Sequence, residues 1–389
     1  MSSAQIEIQI IAMVVAIACA IPGVFLVLRK MAMISDAISH SILPGIVLGF
    51  FAVQDISSPV LVIMAALTGL LTVILVEIIN RTGLVKEDTA IGLVFPALFS
   101  IGVILIARNA DDVHLDIDAV LVGDLAFAPF DRFFAGDVNL GPKSLWVMSS
   151  ILLITIVMLI TFFKELKLST FDAELATTLG FSPAVIHYSL MSVTSVTTVG
   201  AFDAVGAILV VALMIVPAAI AYLLTENLRK MIILAAVFGV LAALSGYWLA
   251  HFIDASISGS MATMLGLMFL FAYIFAPGKG LVSVLVRQHL QKREYSLLTF
   301  LLHIKNHSNK DGNPEERQIA HLTGHFNWQK NQARLILDLA LKNNMIEVNN
   351  QQVSLTPKGD SFTKEAMDYI VNNQREDIES VGGKFLLFR

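Results

Sequence analysis

Long stretches without a single charged side chain recur along this chain of 389 residues, and they constrain its fold more than any other feature. These runs cover residues 8–28, 37–54, 56–76, 89–107, 144–163, 175–202, 204–225, 231–253 and 255–278. A helix needs ~20 apolar residues to cross the ~30 Å hydrocarbon core of a bilayer. A mean hydropathy of +0.75 and a charged fraction of 15% exclude an ordinary soluble enzyme. The pattern predicts an all-α polytopic membrane domain of about nine transmembrane helices over residues 1–288.

The distribution of basic residues predicts how such a domain is oriented. If the N-terminus lies outside and the spans alternate, ten Lys and Arg residues fall on inner connections and three on outer ones. The inner set is Arg29, Lys30, Arg81, Lys86, Lys164, Lys167, Arg229, Lys230, Lys279 and Arg287. Because cytoplasmic loops carry an excess of Lys and Arg, we expect the N-terminus outside and the C-terminal segment in the cytoplasm.

One polar pair lies at the beginning of the second apolar stretch, in the segment MISDAISHSILPGIVLG over residues 33–49. Asp36 and His40 are four residues apart, so a helix places the carboxylate and the imidazole on one face. Ionisable groups at membrane depth are costly and tend to mark an ion path, and this pair suits a divalent transition metal. A polar pair that joins two helices is the alternative. Pro44 and Gly45 follow directly, and such breaks are tolerated where a helix lines a cavity.

Three further polar residues are weaker metal candidates. Asp203 is expected to open the seventh span, and His251 and Asp254 lie at the outer end of the eighth. They could stand beside a metal entry route, but a role at the ends of the helices is favoured.

Residues 171–183, FDAELATTLGFSP, form a short amphipathic stretch between two spans on the predicted cytoplasmic side. The stretch is too polar to cross the membrane, and Gly180 is a typical C-terminal cap. It suits docking to a cytoplasmic partner, although an ordinary connecting helix fits the pattern equally well. No nucleotide-binding loop is evident, since Pro142 separates Gly141 from Lys143 in GDVNLGPKS. An ATPase that drives transport would be a separate chain.

Four motifs in order carry a family resemblance over roughly residues 5–285. They are SDAISHSILPG, FDAELATTLGFSP, AVGAILVVALMIVPAAIAYLLT and SISGSMATMLGLMFLFAYIFAPGKG. The chain resembles the permease subunits of bacterial ABC importers for manganese, zinc and iron. The resemblance implies location in the bacterial cytoplasmic (inner) membrane. It also implies three partners, namely an ABC ATPase subunit, an extracytoplasmic metal-binding protein and a second permease in a homo- or heterodimer.

The same resemblance assigns roles to individual residues. It implies that Asp36 and His40 coordinate the transported metal and that residues 171–180 contact the ATPase. The ATPase-coupling residues are Phe171, Asp172, Glu174, Leu175, Leu179 and Gly180. Mn, Zn or Fe(II) would be the cargo of alternating access, with no resident cofactor and no catalytic residue in this chain.

The composition changes after about Lys292, and residues 289–389 are expected to form a separate cytoplasmic unit with a small α+β winged-helix fold. Helical patterns precede a hairpin over residues 345–356. The segment IEVNNQQVSLTPKGDSFTKEA resembles the DNA-binding domain of metal-dependent transcriptional repressors. From Gln291 onward 13 basic and 12 acidic residues leave a net charge of +1, whereas DNA readers show a basic face. A regulatory or protein-contact role is therefore favoured over DNA binding.

A membrane-tethered, metal-responsive transcriptional regulator is the alternative for the whole chain. About nine spans are far more than an anchor needs. The sequence therefore favours a metal permease that carries a regulatory tail.

Overall fold

A computed structural model describes residues 3–54, 58–109, 125–135, 138–307, 328, 330–349 and 352–372. The chain divides into two compact units, Met1–Gly280 and Leu281–Arg389. Residue 288, which the sequence suggested as the boundary, lies inside a helix that begins at Leu281. The physical reason is that residues 281–306 contain no Gly or Pro, whereas Pro277, Gly278 and Gly280 stand just before them.

The first unit contains, among its described residues, nine helices long and apolar enough to cross a membrane. This number confirms the predicted fold class. In chain order the elements are α1 (Ser3–Leu28), α2 (Met33–Ser41), α3 (Leu43–Val53), α4 (Pro59–Arg81), α5 (Glu87–Asn109), β1 (Arg132–Ala135), β2 (Val138–Pro142), α6 (Lys143–Thr161), α7 (Phe163–Phe171), α8 (Ala173–Thr178), α9 (Pro183–Val205), α10 (Ala207–Leu224), α11 (Leu228–Ile253) and α12 (Ile257–Phe275). Helices α2 and α3 are the two halves of the second span.

Helix α1 is the centre of this unit, and it packs against α6, α10 and α11. Its side chains Ile11, Val15 and Cys19 are completely buried. Helix α2 lies among α4, α5, α9 and α10. Small residues allow these close approaches, because side chains at Gly23 or Gly45 would collide with the backbone of α10 or α4.

The antiparallel pair β1 and β2 is tied to the beginning of α1. The Arg132 guanidinium donates hydrogen bonds to both Glu7 carboxylate oxygens, at 3.0 and 3.3 Å. One nitrogen, Nη2, makes both contacts, so this is a charge-assisted hydrogen bond shared between two oxygens. It therefore holds the hairpin against the first span.

The break between the sixth and seventh spans lies at Gly206, later than the sequence predicts, since Asp203 was expected to open the seventh span. Gly206 has φ +78°, a left-handed value that glycine adopts without strain, and it separates α9 from α10. Gly200 instead packs inside α9 against the Ile151 side chain of α6. Asp203 consequently belongs to the last turn of the sixth span and does not open the seventh, which corrects the sequence-based placement.

The second unit consists, in its described residues, of α13 (Leu281–Asn306), α14 (Lys330–Lys342), β3 (Ile346–Asn349), β4 (Gln352–Leu355) and α15 (Pro357–Asn372). The two strands pair antiparallel in a hairpin with Ile346 opposite Leu355. A small core joins α13, α14 and the hairpin through Leu297, Phe300, Leu301, Ile304, Ile336, Met345 and Val353. The α+β prediction is consistent with these elements. Pro314, followed by Glu315 and Glu316, also predicts the start of a helix, and this segment lies outside the described residues.

An ionic contact connects the first and last helices of this second unit. The Asp360 carboxylate lies 2.9 Å from the Lys364 ammonium and 3.2 Å from that of Lys305 on α13. Hydrogen bonds from Lys364 and then Lys305 lower the pKa of Asp360 below its ordinary value. The carboxylate is therefore charged at neutral pH, and the contact weakens only as the pH falls through that lowered pKa.

We expect Gly45→Ala to destabilise the first unit, since the added methyl group meets the Met64 carbonyl of α4 and overpacking costs about 1–3 kcal/mol. The thermal melting temperature of the purified protein in detergent measures this loss. Gly92→Ala is the matched control, because the described structure leaves open space around Gly92 on α5. Equal melting temperatures for the two variants would contradict the packing described here.

Candidate metal site and coupling segment

Asp36 and His40 lie on one face of α2, as their spacing predicts. The Asp36 Oδ1 and His40 Nε2 atoms are 3.5 Å apart, and about a third of each side chain is exposed within the single chain. Metal–oxygen and metal–nitrogen bonds of ~2.0–2.2 Å allow one ion to contact both atoms across such a gap. The pair therefore offers one oxygen and one nitrogen to a shared cation.

A break in the second span shapes the backbone directly after His40. Pro44 has no N–H to donate to the His40 carbonyl, and its ring disfavours a continuous helix at this point. Accordingly α2 ends at Ser41, and α3 begins at Leu43 with Pro44 in its first turn. An interrupted helix in a membrane protein is characteristic of substrate and ion sites.

The other polar side chains of α2 are three buried serines, and their hydroxyl groups are hydrogen-bonded. The Ser35, Ser39 and Ser41 hydroxyls donate to carbonyl oxygens of the preceding turn, at 2.9–3.2 Å. The Ser41 oxygen also lies 2.6 Å from the Thr72 hydroxyl of α4. These hydrogen bonds satisfy the serine side chains locally, so Asp36 and His40 are the ionisable groups of the helix.

The surroundings of the pair come from two neighbouring helices. The His40 ring lies 5.8 Å from the Phe95 ring of α5, measured between centroids. Gly69 lets α4 approach closely, and a side chain at that position would meet Ile38 of α2 and Ser195 of α9. The pair is thus held on a packed helix and does not lie on a loop.

The three weaker candidates are not gathered around this pair. Asp203 lies near the end of α9, His251 lies in the last turn of α11, and Asp254 ends α11 with φ +53°. The His251 ring stacks over Tyr247 on its own helix, with centroids 6.5 Å apart. The part of the chain that the structure describes contains no group of three or more His, Cys, Asp or Glu side chains suited to a metal.

The predicted coupling stretch consists of the last residue of α7 and the whole of α8, which are joined at Asp172. Phe171 ends α7, and Asp172 has extended backbone geometry and begins α8, where its carboxylate accepts a hydrogen bond of 2.8 Å from the Leu175 N–H. Gly180 follows α8 with φ +86°, and the Phe181 N–H donates to the Ala176 carbonyl at 3.0 Å. These are typical N-terminal and C-terminal caps, so both ends of α8 are well defined.

The surface of this stretch combines apolar and acidic side chains. Phe171, Leu175 and Leu179 are 46–60% exposed, and the carboxylates of Asp172 and Glu174 are exposed beside them. Neighbouring apolar side chains of this size on a water-facing connection commonly mark an interaction surface.

Sequence reasoning missed a polar network near the same end of the helices. Arg29 follows α1, and its guanidinium contacts Thr170 of α7 and His187 of α9, while His187 faces Glu77 of α4. These residues are up to 158 positions apart in the chain. Each looks like an isolated polar residue at the end of a span, so periodicity gives no signal that they meet.

Known proteins agree with this architecture. Residues 4–276 match the ABC 3 transport family. The chain is 46% identical over 367 residues to the zinc transport system membrane protein TroD of Treponema pallidum, a match that covers 94% of this chain and 99% of TroD. It is 44% identical over 280 residues to the manganese transport system membrane protein MntD of Bacillus subtilis, covering 72% of this chain and 95% of MntD.

A solved structure gives an independent comparison. PsaBC from Streptococcus pneumoniae, in complex with Fab, superimposes with a TM-score of 0.60 at 30% sequence identity, covering 72% of this chain and 94% of the matched chain. These matches span nearly the whole length of both relatives and of the solved chain. The family match covers well over half of the sequence, and this chain belongs to the ABC 3 transport family.

Proposed function

We propose that this chain is the permease subunit of an ABC importer for divalent transition metal ions, Mn, Zn or Fe(II). The observation that carries the proposal is the Asp36–His40 pair, one oxygen and one nitrogen 3.5 Å apart at the break of a membrane-spanning helix. Carboxylate and imidazole suit borderline divalent metals. Relatives named for zinc and manganese transport support the same class of substrate.

Two protein ligands are fewer than such ions usually take. We propose that a second permease chain, identical or related, contributes further ligands and that water completes the coordination during passage. A site that keeps open positions suits transport, because an ion held by a closed set of protein ligands is released slowly. The affinity order of divalent metals does not by itself select among Mn, Zn and Fe(II).

The energy for transport is proposed to come from a separate ABC ATPase, so this chain itself is not an enzyme. The ATPase docks on the exposed face of α7 and α8 formed by Phe171, Leu175 and Leu179. An extracytoplasmic binding protein delivers the metal to the opposite side. Lys and Arg are more frequent in the loops on the same side of the membrane as α8 than in the loops on the opposite side. This excess supports an N-terminus outside and a C-terminal unit in the cytoplasm.

Asp36→Asn keeps the shape of the side chain but removes its charge, so we expect metal uptake to fall at least about tenfold. Uptake of radiolabelled Mn²⁺ and Zn²⁺ by cells that express the complete transporter measures the effect. Asp203→Asn is the companion variant, and uptake is expected to persist because the described residues show no metal-binding group of three that would include Asp203 and the pair. Wild-type uptake by Asp36→Asn would refute the metal role of the pair.

Leu175→Asp places a charge on the proposed docking surface without disturbing a buried contact, since Leu175 is exposed. We expect the ATPase to be lost from the purified complex, because a desolvated charge at an interface is costly. Co-purification with the ATPase and ATP-dependent uptake provide the measurement. Leu84→Asp is the matched control, because Leu84 is an 87% exposed leucine in the connection between α4 and α5. If both variants retain the ATPase, the docking surface is wrong.

The second unit is proposed to be a winged-helix-like regulatory module. Its helices and β-hairpin fit that fold, and its nearly balanced charge favours a protein contact over DNA. The match to TroD covers 94% of this chain, so a protein named for zinc transport shares sequence across both units. This observation supports transport as the function of the whole chain and gives no support to a tethered transcriptional regulator.

A chain that ends after Gly280 is expected to retain metal uptake, because the division between the units falls there. Uptake is followed in metal-starved and metal-replete cells that express the full or shortened chain. We expect only the full chain to change its uptake with metal supply. Complete loss of uptake by a shortened chain that reaches the membrane would contradict a purely regulatory tail. Binding of the full-length protein to DNA at physiological salt would favour the rival role.

A further inference from the structure

Arg29 occupies the turn that joins the first span to the helix of the Asp36–His40 pair. The turn is tightly hydrogen-bonded, with the Arg29 N–H on the Phe25 carbonyl at 3.0 Å and the Met31 N–H on the Leu26 carbonyl at 2.9 Å. Lys30 has φ +62°, which closes α1 with a left-handed residue. Helix α2 begins at Met33 and contains Asp36 in its first turn. Arg29 therefore lies in the hydrogen-bonded turn directly before the helix that carries the pair.

The Arg29 side chain contacts the segment that leads into α8. Its Nε donates to the Thr170 hydroxyl at 3.1 Å, and its Nη2 donates to the Ser169 hydroxyl at 3.4 Å. The Thr170 hydroxyl gives its own proton to the Leu166 carbonyl at 2.6 Å, so its oxygen is available to Arg29. Asp172, which begins α8, is two residues beyond Thr170. The contact thus lies next to the proposed ATPase surface.

The third nitrogen of Arg29 reaches the sixth span. Nη1 lies 3.3 Å from His187 Nδ1, and a guanidinium only donates, so Nδ1 must be the acceptor. Burial lowers the pKa of Arg29, but a guanidinium stays protonated in proteins. A partly buried permanent charge is costly unless it is hydrogen-bonded, and the Arg29 guanidinium has three directed contacts. The rigid fork of arginine, which lysine lacks, is what satisfies three acceptors at once.

The network ends at Glu77, and its geometry argues against a second metal site there. The His187 Nε2 and Glu77 Oε2 atoms are 3.9 Å apart, and both are buried without a hydrogen-bond partner among the described residues. Because Nδ1 accepts from Arg29, the proton of a neutral ring lies on Nε2, where a metal would need a lone pair. Arg29 and Arg81 also place two positive charges around this pair. The arrangement suits a structural link between helices and disfavours a cation.

We propose that Arg29 is a positioning residue that couples movement of the ATPase-docking segment to the helix bearing Asp36 and His40. The inference rests on the proposed function. Arg29 contacts neither the metal nor the ATPase in this proposal. It acts by joining α7 and α9 to the turn before α2, so that ATP-driven displacement of α8 changes the position of the metal pair.

The test uses the complete transporter, with its ATPase and binding protein, in proteoliposomes. Arg29→Gln is expected to keep ATP hydrolysis within about twofold of wild type while Mn²⁺ or Zn²⁺ transported per ATP falls at least about tenfold. Arg29→Lys is expected to recover only part of the coupling, because lysine is a single point charge. Equal losses of hydrolysis and transport, or normal coupling, would overturn the proposal.

Two further variants separate coupling from folding and from charge. Thr170→Val removes one acceptor and keeps the branched shape, so it should lower coupling in the same direction. Combining it with Arg29→Gln should add little further loss, as expected for residues that act through one contact. Fully additive losses would overturn the proposal. Lys30→Asn is the matched control that removes a positive charge from the same turn and tolerates its left-handed backbone, and it should leave coupling unchanged.

Failure of this inference is distinguishable from failure of the proposed function. A wild-type transporter that moves neither Mn²⁺ nor Zn²⁺ would overturn the proposed function, and the coupling role of Arg29 with it. Wild-type transport that depends on Asp36 but not on Arg29 would overturn only the inference. Transport that depends on both, with ATP hydrolysis retained in Arg29→Gln, supports both.

Discussion

A carboxylate and an imidazole inside an apolar helix are the constraint around which the first unit of this protein is built. Ionisable groups are costly in a bilayer, so Asp36 and His40 require a place where other helices or water surround them. The serine hydroxyls of α2 donate hydrogen bonds to backbone carbonyl oxygens of the preceding turn. Gly45 and Gly69 allow α4 to pack closely against the second span. The ionisable pair is therefore the part of α2 that remains available to a ligand, which is the basis of the metal site proposed above.

The break at Pro44 divides the second span directly after the Asp36–His40 pair. A proline at this position ends α2 one residue after His40 and leaves the His40 carbonyl without its usual helical donor. The second span is consequently divided into two separate helical segments, α2 and α3. Arg29, just before the first half, contacts Thr170 of α7. The second half packs on α4 and α5. Alternating access in this protein would then be a rearrangement of one half-helix relative to its surroundings.

The second unit is stabilised by a small apolar core and by ionic contacts between its helices. Its apolar core is small and joins α13, α14 and the hairpin. The Asp360 carboxylate of α15 contacts Lys305 of α13 and Lys364 of its own helix, which helps to hold α13 and α15 together. The charge of the unit is nearly balanced. Similarity to TroD extends across 94% of the chain and therefore across most of this unit. The nearly balanced charge of this unit is consistent with the regulatory role proposed above, because DNA-binding domains usually present a strongly basic face.

The sequence by itself predicted the nine apolar helices that the described residues contain, the shared helical face of Asp36 and His40, and the C-terminal cap of α8. Each of these depends on neighbours within a short stretch of the chain. Uncharged length predicts a span, a spacing of four predicts a shared helical face, and Gly180 predicts a helix end. Only the tertiary structure placed the turn at Gly206 and joined Arg29, Thr170, His187 and Glu77. Those contacts depend on how helices far apart in the chain pack together, and no local pattern of residues encodes that packing.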